Sequence, residues 1–143
     1  MCNCRKNAPC PLEGQCLKRN LVYRAVVQCE NSEESYVGLT SSEFKTRYNA
    51  HNHTFRDSSK RLSTELSKHV WSIKDQNKDF SIKWSILGHA RPYDNISKKC
   101  NLCILEKYYI ICQSDLASLN KRNEIVNKCR HQNKYLLCSP NVT

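Results

Sequence analysis

The 143-residue sequence lacks a long apolar run. A helix needs about 20 consecutive apolar residues to span a bilayer, and no stretch approaches that length, so no membrane partner is expected. The first residues also lack the apolar run of a secretory signal peptide, which predicts an intracellular protein with reduced thiols. No internal repeat or low-complexity segment is evident, which argues against a repeat array or a disordered tail.

Acidic residues are scarce in this chain. There are 13 Asp and Glu against 23 Lys and Arg, a formal net charge of +10. Such an excess favours a polyanionic partner, meaning DNA, RNA or an anionic membrane surface. A soluble domain with a solvated basic face explains the charge equally well. The length and the 39% hydrophobic content suit one domain with one modest core.

Three stretches of the sequence predict β-strands. Residues 21–29 and 35–39 are rich in β-branched and aromatic side chains, and residues 80–87 alternate between apolar and polar. The polar residues 30–34 predict a turn, so the first two strands are expected to form a hairpin. The predicted sheet is therefore small, with three antiparallel or mixed strands.

Helices are predicted between the second and third strands and after the third. Thr40 followed by Glu43 has the spacing of a capping box, and a buried stripe is predicted behind it from Phe44, Tyr48, His51 and Phe55. Ser63 or Thr64 is expected to cap a second helix, whose buried residues are Leu66, Val70 and Ile73. An apolar helix is predicted over 103–112, with partial helix over 114–126. The predicted fold class is α+β, a sheet flanked by helices.

Ten cysteines are a high count for this length. In a secreted protein they would predict disulfides, but a reducing compartment favours metal ligation. Four of them fall in the loop-rich segment 1–20, with a spacing that can close a tetrahedral Zn²⁺ site. These four are Cys2, Cys4, Cys10 and Cys16. Disulfides and free thiols are the alternatives for this segment.

A second zinc site is predicted across residues 100–131. It combines a Cys-X2-Cys half-site with a Cys-X-His pair, and its ligands are Cys100, Cys103, Cys129 and His131. The alternative is that Cys103 packs in the core and His131 lies on the surface. Cys29 and Cys112 fall on apolar elements and are expected to be buried thiols.

Several polar residues on predicted helices are candidates for chemistry. Arg47 and His51 are four residues apart and share a helix face. The arginine fork suits a phosphate, and a histidine can shuttle a proton. Glu106 is the one acidic residue in a largely apolar helix, and a divalent cation would compensate its desolvation. Taken singly, a basic helix surface or an exposed glutamate explains each of them better.

Taken together, these residues resemble the GIY-YIG nuclease family. Five elements match it in order: Leu21-Val22-Tyr23, Tyr36-Val37-Gly38, Arg47 with His51, Glu106, and Asn120. The resemblance covers residues 21 to about 125. Leu21 stands where the family has its first glycine, which departs from the pattern. The resemblance implies a nuclease fold in which Gly38 and Asn120 support the catalytic residues.

A closer resemblance covers nearly the whole chain. The cysteines ahead of the first strand, Leu-Asn-Lys-Arg-Asn-Glu at 119–124 and Cys-Arg-His-Gln-Asn-Lys at 129–134 resemble the C-terminal endonuclease domain of Penelope-like retroelements. That family implies a nuclear domain that follows a reverse transcriptase in a longer polypeptide and nicks DNA to prime insertion. It also implies a zinc-binding segment over 1–20 and a nuclease domain over 21–138.

The chemistry that the resemblance implies is hydrolysis of a DNA phosphodiester, with no small-molecule substrate. Glu106 would hold one Mg²⁺ or Mn²⁺, and Arg47 would stabilise charge on the phosphate. Tyr23 would take the proton from water, while Tyr36 or His51 would orient the water or relay the proton. The structural cofactor would be Zn²⁺ at one or two sites.

Basic residues on 45–61 and 121–134 are expected to contact the DNA backbone. They are Lys45, Arg56, Lys60, Arg61, Lys121 and Arg122. A zinc-stabilised nucleic-acid-binding module without catalysis explains the charge and the cysteines equally well, but it assigns no role to Glu106. A secreted disulfide-rich protein would need a signal sequence.

Overall fold

An antiparallel three-stranded sheet is the centre of the α+β fold in the computed structural model, which describes residues 10–30, 32–92 and 100–120. The strands are β1 (Leu21–Cys29), β2 (Ser32–Thr40) and β3 (Ser81–His89), and their order is β2-β1-β3. The predicted hairpin and the third strand are confirmed, and the sheet has no parallel pair among the described residues.

The predicted turn over residues 30–34 is too long. β2 begins at Ser32, and its first residues pair with the end of β1, from Cys29 opposite Ser32 onwards. The Gln28 side chain also donates to the Glu33 carboxylate at 3.1 Å. Pairing with β1 therefore keeps these polar residues in a strand, although their intrinsic β-propensity is low.

Three α-helices accompany the sheet: α1 (Phe44–Arg56), α2 (Glu65–Asp75) and α3 (Asn101–Cys112). Single 3₁₀ turns lie at Ser58–Lys60 and Ser114–Leu116. Thr64 caps α2 as expected, in a capping box with Ser67. α3 begins two residues earlier than predicted, with Cys100 at its N-cap. Within the described ranges, no helix is long and apolar enough to cross a membrane.

The capping box predicted for α1 is wrong. Glu43 occupies the N-cap without a side-chain hydrogen bond, and the Thr40 hydroxyl bonds to Ser42 instead. The first two backbone N–H groups of α1 donate to the carbonyl oxygens of Lys18 and Cys16, each at 2.8 Å. The cysteine-rich segment thus satisfies donors that a helix start otherwise leaves open.

Residues that alternate along β1 face two different cores. On one face, Tyr23 and its neighbours pack against α1 and α2, with Phe44, Phe55, Leu66, Val70 and Ile73 buried. On the other face, Val22 and Val37 pack against Leu102 and Ile110 of α3. Cys29 is buried as predicted, whereas Cys112 is exposed. The prediction for Cys112 fails because α3 is apolar on nearly every side, so its sequence does not reveal which face is covered.

Candidate active site

Side chains from β1 and α1 meet at the Tyr23 hydroxyl. Tyr23 is fully buried, and its oxygen lies 2.6 Å from His51 Nε2. Arg47 Nε donates to the same oxygen at 3.2 Å. The four-residue spacing of Arg47 and His51 places both on the sheet-facing side of α1. The structure therefore brings the predicted pair of Arg47 and His51 together with Tyr23 of the first strand.

Tyr36 completes this group from the neighbouring strand. β2 pairs Tyr36 with Ala25, so its ring lies on the same sheet face as Tyr23. The Tyr36 and His51 rings contact edge to face, with centroids 5.8 Å apart, and the Tyr36 side chain interacts with Arg47. We call Tyr23, Tyr36, Arg47 and His51 the tyrosine–arginine cluster.

Gly38 is required by the position of Tyr23. A β-carbon built on Gly38 would lie only 2.4 Å from the Tyr23 hydroxyl oxygen. Tyr36 and Gly38 are two residues apart on one strand and face the same side of the sheet. The spacing of the Tyr-Val-Gly step thus has a physical reason. Tyr36 supplies a hydroxyl, and Gly38 leaves room for the hydroxyl of Tyr23 on β1.

Asn120 holds the edge of β2 between these two positions. Its Oδ1 accepts from the Val37 N–H and its Nδ2 donates to the Val37 carbonyl, both at 2.8 Å. Ser118 accepts from the Ser35 N–H at 2.8 Å, so the chain after α3 continues the hydrogen bonding of this edge. Asn120 therefore supports the cluster through the β2 backbone. Its side chain satisfies backbone N–H and C=O groups that an edge strand would otherwise leave unpaired.

Burial determines the protonation states in the cluster. Burial and the charge of Arg47 lower the pKa of His51 to about 3, so its ring is neutral near pH 7. Because Arg47 donates to the Tyr23 oxygen, the Tyr23 hydroxyl is left to donate to His51 Nε2. Burial also raises the pKa of Tyr23 to about 12, although Arg47 acts in the opposite direction.

Arg47 keeps its charge within this buried group. Burial disfavours the charged guanidinium, but interactions with Tyr23 and Tyr36 outweigh burial and raise the pKa of Arg47. The cluster is thus one oriented cation among two phenols and a neutral imidazole. Such an arrangement can stabilise negative charge that develops on a bound group.

Glu106 lies on α3, across the sheet from α1. Leu102, Glu106 and Ile110 are spaced four apart on one helix stripe, and the outer two are buried against the sheet. The half-buried Glu106 carboxylate is close enough for its charge to raise the pKa of Tyr23 slightly. α3 approaches the sheet at Gly88, where a β-carbon would be 3.2 Å from Leu105.

The catalytic metal predicted from the sequence would have one protein carboxylate as its ligand, Glu106. No cluster of three or more His, Cys, Asp or Glu ligands occurs in residues 10–30, 32–92 and 100–120. Mg²⁺ in phosphate-transfer sites is often held by one or two carboxylates together with substrate oxygens and water. Glu106 fits that pattern, in which the substrate supplies the remaining ligands.

The predicted zinc ligands are only partly within the described residues. Cys10 is half-buried and Cys16 is buried, whereas Cys2 and Cys4 lie outside the described residues. Cys100 is buried, and its Sγ accepts from the Cys103 N–H at 3.5 Å at the start of α3. Cys129 and His131 lie outside the described residues. A helix start favours negative charge, which suits a thiolate ligand at Cys100.

The predicted DNA-contacting residues are placed on the outer side of α1 and the loop after it. Arg56 and Lys60 are exposed, and Lys45 is partly buried. Arg61 bonds to Asp75 at 3.2 Å and lies over the Trp71 ring at 5.0 Å. Lys121 and Arg122 lie outside the described residues.

Two aromatic rings enclose Tyr23, of which Phe44 was predicted to be buried and Trp84 was not. The rings of Phe44 and Trp84 lie 5.5 Å and 5.9 Å from the Tyr23 ring, between centroids. Trp84 is buried on β3, where it pairs with Ala25. The alternation along β3 places Trp84 inward and was available as a signal.

The comparisons with family models, curated proteins and solved structures give no match for this chain.

Proposed function

We propose that the chain is a divalent-metal-dependent DNA endonuclease of GIY-YIG type that nicks phosphodiester bonds. The observation that carries this proposal is the convergence of Tyr23, Tyr36 and His51 around one half-buried, charged arginine, Arg47. The motif order suggested a nuclease, and the distances are consistent with that order. Glu106 completes the set from the opposite side of the sheet.

Arg47 would bind the scissile phosphate. Its guanidinium is oriented by the Tyr23 oxygen at 3.2 Å and by Tyr36, so little conformational freedom remains to be lost when substrate binds. The charge is partly shielded from water, where it acts more strongly on an incoming oxyanion. Arg47 is therefore assigned to stabilising the pentavalent phosphate in the transition state.

Tyr36 is the better candidate to accept the proton of the attacking water. The sequence analysis gave this role to Tyr23, which requires its pKa to fall toward neutrality. Burial instead raises the pKa of Tyr23 to about 12, and its hydroxyl is already bonded to His51 and Arg47. Tyr36 is also buried, at 8% exposure, but it is less enclosed than Tyr23 and likewise interacts with Arg47. Tyr23 and His51 then orient the arginine.

Glu106 would hold a Mg²⁺ or Mn²⁺ ion on the α3 face, where its carboxylate is near enough to influence the pKa of Tyr23. A bound ion would supply positive charge to the leaving 3′ oxygen and to the phosphate. The stripe position of Glu106 directs its side chain toward the sheet, between two buried residues.

The biological setting follows from the retroelement resemblance. The domain would nick DNA in the nucleus so that a reverse transcriptase in the same polypeptide can prime insertion on the exposed 3′ end. Zn²⁺ at the two cysteine sites would be structural. The hydrogen bond from α1 to the Cys16 carbonyl supports a link between the first site and the helix that carries Arg47.

The test is nicking of supercoiled plasmid with Mg²⁺ or Mn²⁺. Glu106→Gln removes one charge at constant shape, and Arg47→Lys keeps the charge but removes the planar fork. Each is expected to lower the nicking rate by about 100-fold or more. Matched controls are Asp115→Asn, near the end of α3, and Arg91→Lys, at an exposed position after β3. Both controls should stay within about twofold of the wild type.

Two results would overturn the endonuclease proposal. One is a wild-type protein that binds plasmid but leaves it intact at every metal concentration, which would favour a binding module without catalysis. The other is unchanged nicking by Glu106→Gln. Elemental analysis of the same preparations is expected to find about two zinc ions per chain.

A further inference from the structure

The loop between α1 and α2 presents one apolar side chain to solvent. Leu62 is 72% exposed, more than any other large apolar residue described. A single exposed leucine is ordinary on a protein surface. Here its surroundings are not ordinary, because the loop is held by hydrogen bonds and flanked by basic residues. We call residues 57–64 the wedge loop.

The backbone on both sides of Leu62 is fixed. The Asp57 carboxylate accepts from the Ser59 N–H at 3.0 Å and from the Ser59 hydroxyl at 2.7 Å. The Lys60 carbonyl accepts from the Ser63 N–H at 3.0 Å. From α2, the buried Ser67 hydroxyl donates to the Arg61 carbonyl at 3.0 Å. Leu62 is therefore presented on an ordered turn, and binding through it costs little ordering of the loop.

The charges around Leu62 are arranged in two groups. The Arg61 guanidinium turns back onto α2, where it contacts Asp75 and Trp71. Arg56 and Lys60 are exposed and form no ion pair with any of the described residues. The segment 56–62 contains three basic residues and one acidic residue, Asp57, whose carboxylate accepts two hydrogen bonds from Ser59 and interacts with the charge of Lys60. The loop thus combines an apolar tip with two outward cations.

A nucleic acid duplex fits this combination better than a protein partner does. Stable protein interfaces bury about 1,600 Å² around an apolar centre, far more than one leucine provides. DNA-bending proteins insert single Leu, Ile, Phe or Met side chains between base pairs, while basic residues hold the adjacent phosphates. Leu62, Lys60 and Arg56 supply these two kinds of contact on one surface.

We propose that the wedge loop binds the minor groove of duplex DNA and inserts Leu62 between adjacent base pairs, which bends the duplex. The proposal rests on the DNA-binding part of the proposed function. Arg56, at the end of α1, lies nine residues from Arg47, or about 14 Å along the helix axis. Nine residues are about two and a half helical turns, so Arg56 projects from the opposite side of α1 to Arg47, and the bend is expected away from the nicked bond.

The bending test uses duplexes labelled at both ends for energy transfer, bound to Glu106→Gln protein so that no strand is cut. A second set carries 2-aminopurine at successive positions, whose fluorescence rises when a base step is unstacked. With Leu62 intact, shortened end-to-end distance and a fluorescence rise at one step are expected. Leu62→Ala in the same background is expected to abolish both signals and weaken binding about fivefold to tenfold. Leu62→Met should retain them.

Matched variants separate the wedge from general charge and general apolar surface. Ile111 is 48% exposed on α3, away from the wedge loop, so Ile111→Ala should leave bending unchanged. Lys60→Ala should weaken binding to all duplexes and reduce the salt slope of binding by about one phosphate contact. Leu62→Ala should leave that slope unchanged, because a leucine releases no counterions.

The outcomes distinguish this proposal from the endonuclease proposal. If Leu62→Ala protein bends and unstacks DNA as well as its parent does, the wedge is overturned, whether or not the wild type nicks. If no duplex is bent by protein with Leu62 intact, the wedge is likewise overturned. If DNA is bent through Leu62 but wild type with metal never nicks it, the wedge stands and the endonuclease proposal fails.

Discussion

The polar side chains on the two faces of the sheet differ in their exposure to water. On the α1 face, the polar atoms of Tyr23 and His51 are enclosed by aromatic rings and bonded to each other at 2.6 Å. On the α3 face, Glu106 is half-buried on a helix whose outer side exposes Ile104, Tyr108 and Ile111. One face fixes a geometry away from water, and the other holds a charge near water.

This difference indicates which parts of the candidate site tolerate change. A close-packed buried cluster transmits any added volume to all its members, because protein interiors have few voids. A helix packed by flexible aliphatic tips can adjust by rotating a side chain. Substitutions that add volume are therefore expected to destabilise the α1 face strongly and the α3 face only weakly.

The largest expected effect contrasts the two glycines that face these two sides. In Gly38→Ala the new methyl would lie 2.4 Å from the Tyr23 oxygen, which Arg47 and His51 hold in place. We expect a loss of about 3 kcal/mol or more in the free energy of unfolding, with loss of nicking. In Gly88→Ala the nearest atom is a Leu105 methyl at 3.2 Å, which can rotate away. Its cost should be about 1 kcal/mol or less.

Urea unfolding of both variants measures this contrast. Gly38 and Gly88 are both in strands without positive φ, so the backbone accepts alanine at each and sterics alone differ. Equal losses in the two variants would contradict the view that only the α1 face is rigid.

The next effect concerns stability as a function of pH. Burial and the charge of Arg47 lower the pKa of His51 to about 3. Between pH 6.5 and 3, His51 is therefore protonated in the unfolded chain and neutral in the folded chain. Stability from this group is complete above about pH 6.5 and is lost as pH falls toward 3, by on the order of a few kcal/mol. The raised pKa of Tyr23 acts at the other end, and stability is lost as pH rises from 10 toward 12.

Substitution of His51 identifies its contribution to the acidic part of the pH profile. His51→Gln keeps an acceptor for the Tyr23 hydroxyl but does not titrate, so its free energy of unfolding should fall less than that of wild type between pH 6.5 and 4. His53→Gln, on the exposed side of the same helix, is the matched control and should follow wild type. A wild-type profile that matches His51→Gln through this range would mean that His51 is accessible to protons.

The elements of the fold follow from local patterns, and its connections do not. The β-branched residues of the first strand predicted β1, alternation predicted β3, and the Thr64 cap predicted α2. The start of α1 was mispredicted because its N–H groups are satisfied by Lys18 and Cys16, which lie in an earlier segment of the chain. No local rule can supply an acceptor that arrives through tertiary structure.

The candidate site likewise combines residues that local patterns predict with contacts that only the tertiary structure reveals. Residue types and spacing selected Arg47, His51 and Glu106, because phosphate and metal chemistry require those side chains. The role of Tyr23 was assigned without its burial, which raises its pKa rather than lowering it. The bonds of Asn120 to the Val37 backbone were also invisible, since the two residues are distant in sequence.

The smallest expected effect compares two tyrosine hydroxyls, one on each face, of which that of Tyr109 is half-buried. Tyr109 of α3 donates to the Leu87 carbonyl at 3.0 Å, a single bond between neutral groups. Tyr109→Phe is expected to cost about 1 kcal/mol of unfolding free energy and to leave the nicking rate within about twofold. Tyr23→Phe removes the same atom from the other face, where it leaves His51 Nε2 and Arg47 Nε without their partner.

The Tyr23→Phe protein should therefore lose about 1–3 kcal/mol and also most of its nicking. The informative quantity is the ratio between activity and stability, since both variants delete one hydroxyl and retain one ring. If Tyr109→Phe lowers nicking as much as Tyr23→Phe at similar stability, the α3 face positions Glu106 as tightly as the α1 face positions Arg47. The two faces would then differ in burial but not in their demand for geometry.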